Sequence, residues 1–334
     1  MKRKIIVLLL WLVLGIVISD LVYRYGFELL KVPTSSMEKT IAPGQYVLVN
    51  KLIPGPRFFA NNPDKYNRPY QYKDLNYGDI IVFNFPDADT IIANKPGESY
   101  YLLRRQHPNL DSLLIPDGWG ELQSADVKRR PRMVKRIAGM PGDTLQIVRG
   151  TLIINRQPQT EEHATFSYLW TGSDKDLPKA LARLDNEIEP IIEGPKTILM
   201  LDNRELKKLS ELSAHCKRDI LSPGIPDDYV FPFKRSWLWN ADNLGPVYLP
   251  RKGETIQLTA QNLHIYRRLI EVFEQTPLEV KGDYVFSNQI PISQYTFKLS
   301  YYWVHGDNRP RSFDSRYWGP VPENHIVGVV KYQK

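Results

Sequence analysis

With 334 residues and 42% hydrophobic content, the chain can fill one large core or two ordinary ones, which excludes a disordered protein. Its 26 prolines, 20 glycines and 19 tyrosines favour strands and turns over long helices, and a net charge of +7 suits anionic lipid without selecting a partner. A single cysteine, Cys216, excludes an intramolecular disulfide and a cysteine-rich metal site, and the six histidines lack zinc spacing.

Ile5 to Val22 is apolar apart from Ser19, Asp20 and the permissive Gly15. As a helix it extends about 27 Å, close to the hydrocarbon thickness of a bilayer. It shows no polar stripe before Ser19, unlike a helix packed in a soluble core. No small-x-small pair follows it through Phe27, so it reads as an uncleaved anchor rather than a removed signal. Lys2, Arg3 and Lys4 precede it, and the positive-inside rule leaves the N-terminus cytoplasmic with everything beyond Tyr23 on the far side. No second run of that length occurs, so a single pass is expected.

Ten residues on comes Val32-Pro33-Thr34-Ser35-Ser36-Met37, a turn leading into the alternating segment Tyr46 to Lys51. Ile80 to Phe85 reads as the next strand. The Pro-, Asn- and Tyr-rich stretch Ile53 to Asn76 reads as an ordered loop. Asp87 to Arg132 is a second long excursion. It ends in the basic cluster Lys128, Arg129, Arg130 and Arg132, readable as a solvated face or as a contact with lipid headgroups. Met133 to Ala138 is strand-like, with Lys135 on the same face as Met133 and Ile137. Thr144 to Asn155 reads as a hairpin turning at Arg149-Gly150. Residues 156–296 read as an insertion. They carry a helix of about a dozen residues capped at Asp202-Asn203, a strand at Thr255 to Leu258 and a helix over Ala260 to Gln275. Strands at Tyr301 to Val304 and Ile326 to Val330 close the chain.

Four stretches in order behind one anchor resemble type I signal peptidases, membrane-bound serine proteases with a Ser-Lys dyad. They are Pro33-Thr34-Ser35-Ser36-Met37, Gly78-Asp79-Ile80-Ile81-Val82-Phe83, Lys135-Arg136-Ile137-Ala138-Gly139-Met140-Pro141-Gly142-Asp143, and Gly306-Asp307-Asn308-Arg309 through Asp314-Ser315-Arg316-Tyr317-Trp318-Gly319. The resemblance implies Ser36 as nucleophile, Lys135 as general base, Thr34 with the Ser36 N–H as oxyanion donors, and Ser312 as the group orienting the lysine. It further implies Asp307, Arg136, Asp314 and Arg316 as structural supports, with Arg136 paired to Asp307 and Arg316 to Asp314. The sequence departs from the family pattern at Ser35, where glycine is usual, at Thr34, where serine is commoner, and at Lys39, often proline.

The chemistry is consistent with those residue types. A serine hydroxyl needs a base, and a lysine serves only if desolvation lowers its ordinary pKa. The expected fold is mostly β: a transmembrane anchor at 5–22 after a tail at 1–4, then a signal-peptidase-like β-sheet catalytic core at 23–155 and 297–334. An inserted α+β domain at 156–296 interrupts that core. The expected activity is cleavage of secretory preproteins after small-x-small sites at the extracytoplasmic (periplasmic) side of the inner cell membrane. Preproteins and the lipid bilayer are the expected partners. No cofactor, metal or nucleic acid is expected. Two rivals stand beside this reading. One is an inactive membrane-anchored binding or assembly module of the same fold. The other is a penicillin-binding-type acyltransferase using Ser36 and Lys39 of Ser36-Met37-Glu38-Lys39, although the S-D-N and K-T-G partners of that motif are missing.

Overall fold

The apolar N-terminal run forms helix α1, Lys2–Leu21, which passes into a π turn at Val22–Gly26. Its 20 residues extend about 30 Å. In the computed structural model, which describes residues 2–95, 98–107, 109–113, 118–184 and 188–331, Arg3–Gly26 is the one helix long and apolar enough to cross a membrane. Its large side chains are exposed along their whole length, a surface that hydrocarbon tolerates and water does not. Met1 and residues 332–334, the outer ends of the expected tail and of the closing core segment, lie outside the described residues.

The elements that build and flank the site are, in chain order, β1 (Phe27–Lys31), β2 (Tyr46–Asn50), β3 (Ile80–Asn84), β4 (Arg132–Gly139), β5 (Thr144–Val148), β6 (Thr151–Ile154), β7 (Thr165–Trp170) and β8 (Lys196–Asp202). Then come α2 (Asn203–Lys208), β9 (Leu244–Tyr248), α3 (Leu263–Arg268), β10 (Tyr301–His305), β11 (Val321–Pro322) and β12 (Ile326–Lys331). A seven-stranded antiparallel sheet with strand order β1-β2-β12-β3-β4-β10-β11 forms the centre. The closing strand β12 inserts between β2 and β3, so residues from both ends of the chain make one sheet.

Period-two alternation buries this sheet on both faces. Ile81, Phe83, Ile137 and Val304 pack on one side with Trp318, against partly buried Met133 and Phe313. Val47, Val49, Val82 and Val134 pack on the other with Val32, Met37 and Ile41. The β5–β6 hairpin turns through Arg149 at φ 48° and Gly150 at φ 73°. Two left-handed residues in a two-residue loop match the right-handed twist of the strands they join. Strand β9 then pairs with the outer edge of β5, Leu244 opposite Ile147, so the interval 156–296 completes a sheet begun before it.

Several elements differ from the sequence reading. The helix capped at Asp202 is only six residues long, although Asp202 and Glu205 form a complete capping box. It stops because Ser210 takes φ 53°, after which the chain continues as a 3-10 helix. The helix expected over 260–275 is α3 followed by a π turn, Leu269–Phe273. Strands β1, β7 and β8 are not anticipated. The excursion from Asp87 to Arg132, part of which lies outside the described residues, holds a helix at Tyr100–Gln106 and a strand pair joining Thr90–Ile92 to Leu122–Ser124. Its basic cluster is not uniformly solvated. Arg130 is buried, bonding Ala125 O, Pro86 O and His325 Nε2, and Arg132 pairs with Glu28.

Trp318 is 1% exposed and makes edge contacts with Phe85 and Phe313 at ring distances of 5.2 and 5.1 Å. Trp318→Ala should cost about 3–5 kcal/mol of unfolding free energy in denaturant titrations of the full chain; a loss below about 1 kcal/mol would contradict this packing.

Candidate active site

Strand β4 carries Lys135 into the interior, where it is 2% exposed and stands in register with Ile81 of β3. Its other candidate partner, Ser36, lies on a 3-10 turn, Ser35–Met37, entered from extended Thr34. Met37, fully buried, pins that turn, and its carbonyl accepts from Ile41 N at 2.7 Å. The result brings Lys135 Nζ to 2.6 Å from Ser36 Oγ, with a second bond to Val134 O at 3.1 Å. Thr34 Oγ1 lies 3.3 Å from Ser36 Oγ. Residues 99 positions apart thus meet only because the turn docks on the sheet.

The third contributor is the segment 306–316 after β10. Asn308 N donates to Ser36 O at 3.0 Å, and its amide reaches Ser35 O and Glu38 Oε2. Asp307 binds Arg136 bidentately at 2.8 and 2.6 Å and also accepts from Thr40 Oγ1 at 2.6 Å. Asp314 binds Arg316 at 2.9 and 3.0 Å and accepts from Gly306 N at 3.1 Å. Ser312 Oγ donates to Asp314 Oδ2 at 2.7 Å; no hydrogen bond joins it to Lys135 among the described residues. A Cβ on Gly306 would lie 2.2 Å from Ser312 Oγ and 2.6 Å from Ser36 O, so only glycine lets this segment approach the serine turn so closely.

Thr34, Ser36 and Lys135 therefore form one cluster. Ser312, Asp314 and Arg316 form a neighbouring chain of bonds, and Arg136 with Asp307 ties the same segment to β4 from the opposite face. Lys39 points elsewhere: its ammonium bonds Met200 O at 2.9 Å and pairs with Glu205. Its φ of 69° also forbids the proline often found at that position, since proline is confined near −65°. Ser35 shows no positive φ, so the glycine usual there is not required by the backbone. Gly306, Asn308, Thr40 and Glu38 were not singled out by sequence reasoning. Gly306 and Asn308 stand inside the quoted Gly306-Asp307-Asn308-Arg309 stretch, but the contacts they make belong to the tertiary fold.

Burial pushes the Lys135 amine down to about 8 from an ordinary 10.5; the Asp314 and Asp307 carboxylates work against that, and Arg316 adds to it. Burial by itself would raise Asp314, but the Arg316 guanidinium beside it holds its carboxyl well below the usual range. Lys135 makes no ion pair with either acid among the described residues, because each acid is already held by its own arginine. The apolar side chains around the pair divide between the two faces of the sheet, with Met133, Ile137 and Phe313 in one cluster and Met37 in the other. Beside Lys135, no strand pairs with the second edge of β4 among the described residues. Strand β3 pairs with Arg132 through Arg136 on one side, whereas β10 pairs only from Arg136 to Gly139 on the other.

A lowered lysine pKa means that the unfolded chain binds the proton more tightly than the native state. Stability should therefore rise with pH between about 8 and 10.5 as the native penalty disappears. Lys135→Met should stabilise the protein at pH 7 by about 1–3 kcal/mol and flatten that rise. Equal melting temperatures for variant and parent from pH 7 to pH 10 would contradict a desolvated amine.

A family model described as signal peptidase, peptidase S26, matches residues 3–211 and 252–333. Signal peptidase I of Buchnera aphidicola subsp. Baizongia pistaciae (strain Bp) is 23% identical over 321 residues, covering 95% of this chain and 72% of that relative.

Proposed function

This chain belongs to the signal peptidase family, peptidase S26, and from that premise we propose that it is a membrane-anchored serine endopeptidase with a Ser36–Lys135 dyad. Its substrates in this reading are exported preproteins, cut after a small-x-small sequence to release the signal peptide. The observation that carries the proposal is the 2.6 Å contact between Ser36 Oγ and a buried Lys135 Nζ. With the amine neutral, that contact runs from the serine O–H to the nitrogen lone pair. Ser36 Oγ attacks the scissile carbonyl as its proton passes to Lys135, and the resulting ammonium returns a proton to the leaving amine. Water then hydrolyses the acyl-enzyme by the same route. The Thr34 hydroxyl and the Ser36 N–H are assigned as donors to the oxyanion; N–H groups in the first turn of a helix have no intrahelical partner. Ser312 is assigned as the lysine's orienter. Its proton is already given to Asp314, which leaves oxygen lone pairs to accept from the amine.

The second edge of β4 from Arg132 to Lys135, without a partner strand among the described residues, supports binding of the substrate as an added strand, with its scissile bond running past Ser36. Anchoring enzyme and preprotein in one membrane raises their effective concentration. Lys2, Arg3 and Lys4 before α1 support a cytoplasmic N-terminus and an extracytoplasmic active site at the inner cell membrane. We assign the catalytic core to residues 23–155 and 297–334 and an inserted unit to 156–296. The central sheet supports this by drawing strands only from Phe27–Gly139 and Tyr301–Lys331. Lys39 is engaged with Glu205, which favours Lys135 over Lys39 as the base.

Incubated with a preprotein bearing an Ala-x-Ala site, the Ser36→Ala and Lys135→Ala variants should show no cleavage while keeping the parental circular dichroism. Lys39→Ala should retain most activity; if instead it is the inactive one, the base has been misassigned. The kcat/KM should climb about tenfold per pH unit below pH 7 and level off above about pH 9, following an amine that titrates at about 8. A flat profile would rule out an amine base. Thr34→Val should lower kcat about 10²–10³-fold with little change in KM, as the loss of one oxyanion donor does.

A further inference from the structure

A cavity of about 250 Å³ opens where the apolar helix ends, and Arg24, Lys51, Arg57, Lys128 and Arg132 line it. Two carboxylates reach these cations. Glu28 takes Lys51 at 2.7 Å and also Arg132, while Asp20 takes Arg24 at 2.6 Å. Arg57 and Lys128 have no carboxylate partner among the described residues. Arg57 Nη1 donates only to neutral acceptors, Asn84 Oδ1 at 2.9 Å and the carbonyls of Asn324 and His325 at 3.0 Å. Five cations against two acids leave the cavity positive. Burial is the larger cause that pushes both unpaired groups down, Lys128 with the Arg57 charge added and Arg57, to about 9, with the Arg68 and Arg132 charges added.

The cavity's place beside the end of the apolar helix points to the anion. Tyr25, which also lines it, stacks on Phe58 with ring centroids 6.1 Å apart. Phe27, Leu29 and Phe59 are exposed close by in the chain. Aromatic side chains at the level where a spanning helix leaves the hydrocarbon mark the membrane interface, and the anionic group found at that level is a phospholipid phosphate. We propose that this cavity is a phosphate site for the headgroup of a phospholipid beside α1, with Arg57 and Lys128 supplying the charges that the phosphate completes. The site would fix the height and rotation of the folded part against the bilayer. It stands apart from the peptidase reading, because its occupancy is measured without cleavage.

The test uses the full chain in a maltoside detergent, titrated with dioctanoyl phosphatidylglycerol, with dioctanoylglycerol and with inorganic phosphate. Retained ligand is counted by native mass spectrometry, and the melting temperature is followed in parallel. One phosphatidylglycerol should be retained and raise the melting temperature, whereas dioctanoylglycerol, with the same tails and no phosphate, should do neither. Lys128→Gln, an exposed side chain with no hydrogen bond among the described residues, should weaken retention about fivefold without altering the lipid-free melt. Arg57→Gln should weaken it further, judged against its own lipid-free melt because Arg57 also holds backbone carbonyls. Equal retention of dioctanoylglycerol, or unchanged retention in Lys128→Gln, would overturn the proposal. Inorganic phosphate binding as tightly as the lipid would overturn the headgroup assignment and leave a free-anion site.

Discussion

An amine taken out of water and set against a serine oxygen is the constraint from which the arrangement of this protein follows. Desolvation of an ammonium is costly, and the protein meets that cost by burying the central sheet on both faces around β4. The same burial makes any nearby carboxylate a hazard, since an acid in contact with Lys135 would restore its charge. Asp307 and Asp314 both lie close enough to act on the lysine, and both raise its pKa. Each is bound bidentately by an arginine, Arg136 or Arg316, so neither forms an ion pair with it. These buried pairs are better understood as isolating the lysine than as stabilising the fold, because a buried ion pair gains little over its own desolvation.

The segment from Gly306 to Arg316 joins the two halves of the candidate site. Its backbone meets the serine turn at Ser36 O, and its acids meet the arginines on β4 and on α-helical Ser315–Trp318. The absence of a side chain on Gly306 permits that approach. Trp318 anchors the far end of the segment in the same apolar layer as Ile137. Errors in the packing of that layer are therefore transmitted to the distance between Ser36 and Lys135.

Around the base of α1 the electrostatics take the opposite form. There the cations outnumber the acids, and the aromatic side chains Tyr25, Phe27, Phe58 and Phe59 are exposed. A region built for a neutral interior would pair Arg57 with an acid; here its acceptors are an amide and two carbonyls. The molecule thus holds two distinct solutions to buried positive charge, one sealed from anions and one open to them.

Much of this was legible in the sequence. An unbroken apolar run has one stable outcome, and α1 is that helix. The alternating segment at 46–51 and the short apolar runs at 80–85, 133–138, 301–304 and 326–330 became strands, the runs matching a sheet buried on both faces. Local signals also placed the Arg149-Gly150 hairpin and the cap at Asp202. The sequence could not reveal where β12 inserts, that β9 pairs back to β5, or that Arg130 is buried while Lys128 is not. Each of these depends on contacts between distant segments, whose energies no local pattern encodes. The chain alone determined that an apolar helix long enough to cross a membrane precedes the segments carrying Ser36 and Lys135. Only the folded sheet decided that Ser36 and Lys135 meet in a site dry enough to lower the amine's pKa, because desolvation is a property of everything packed around a group and not of its neighbours in sequence.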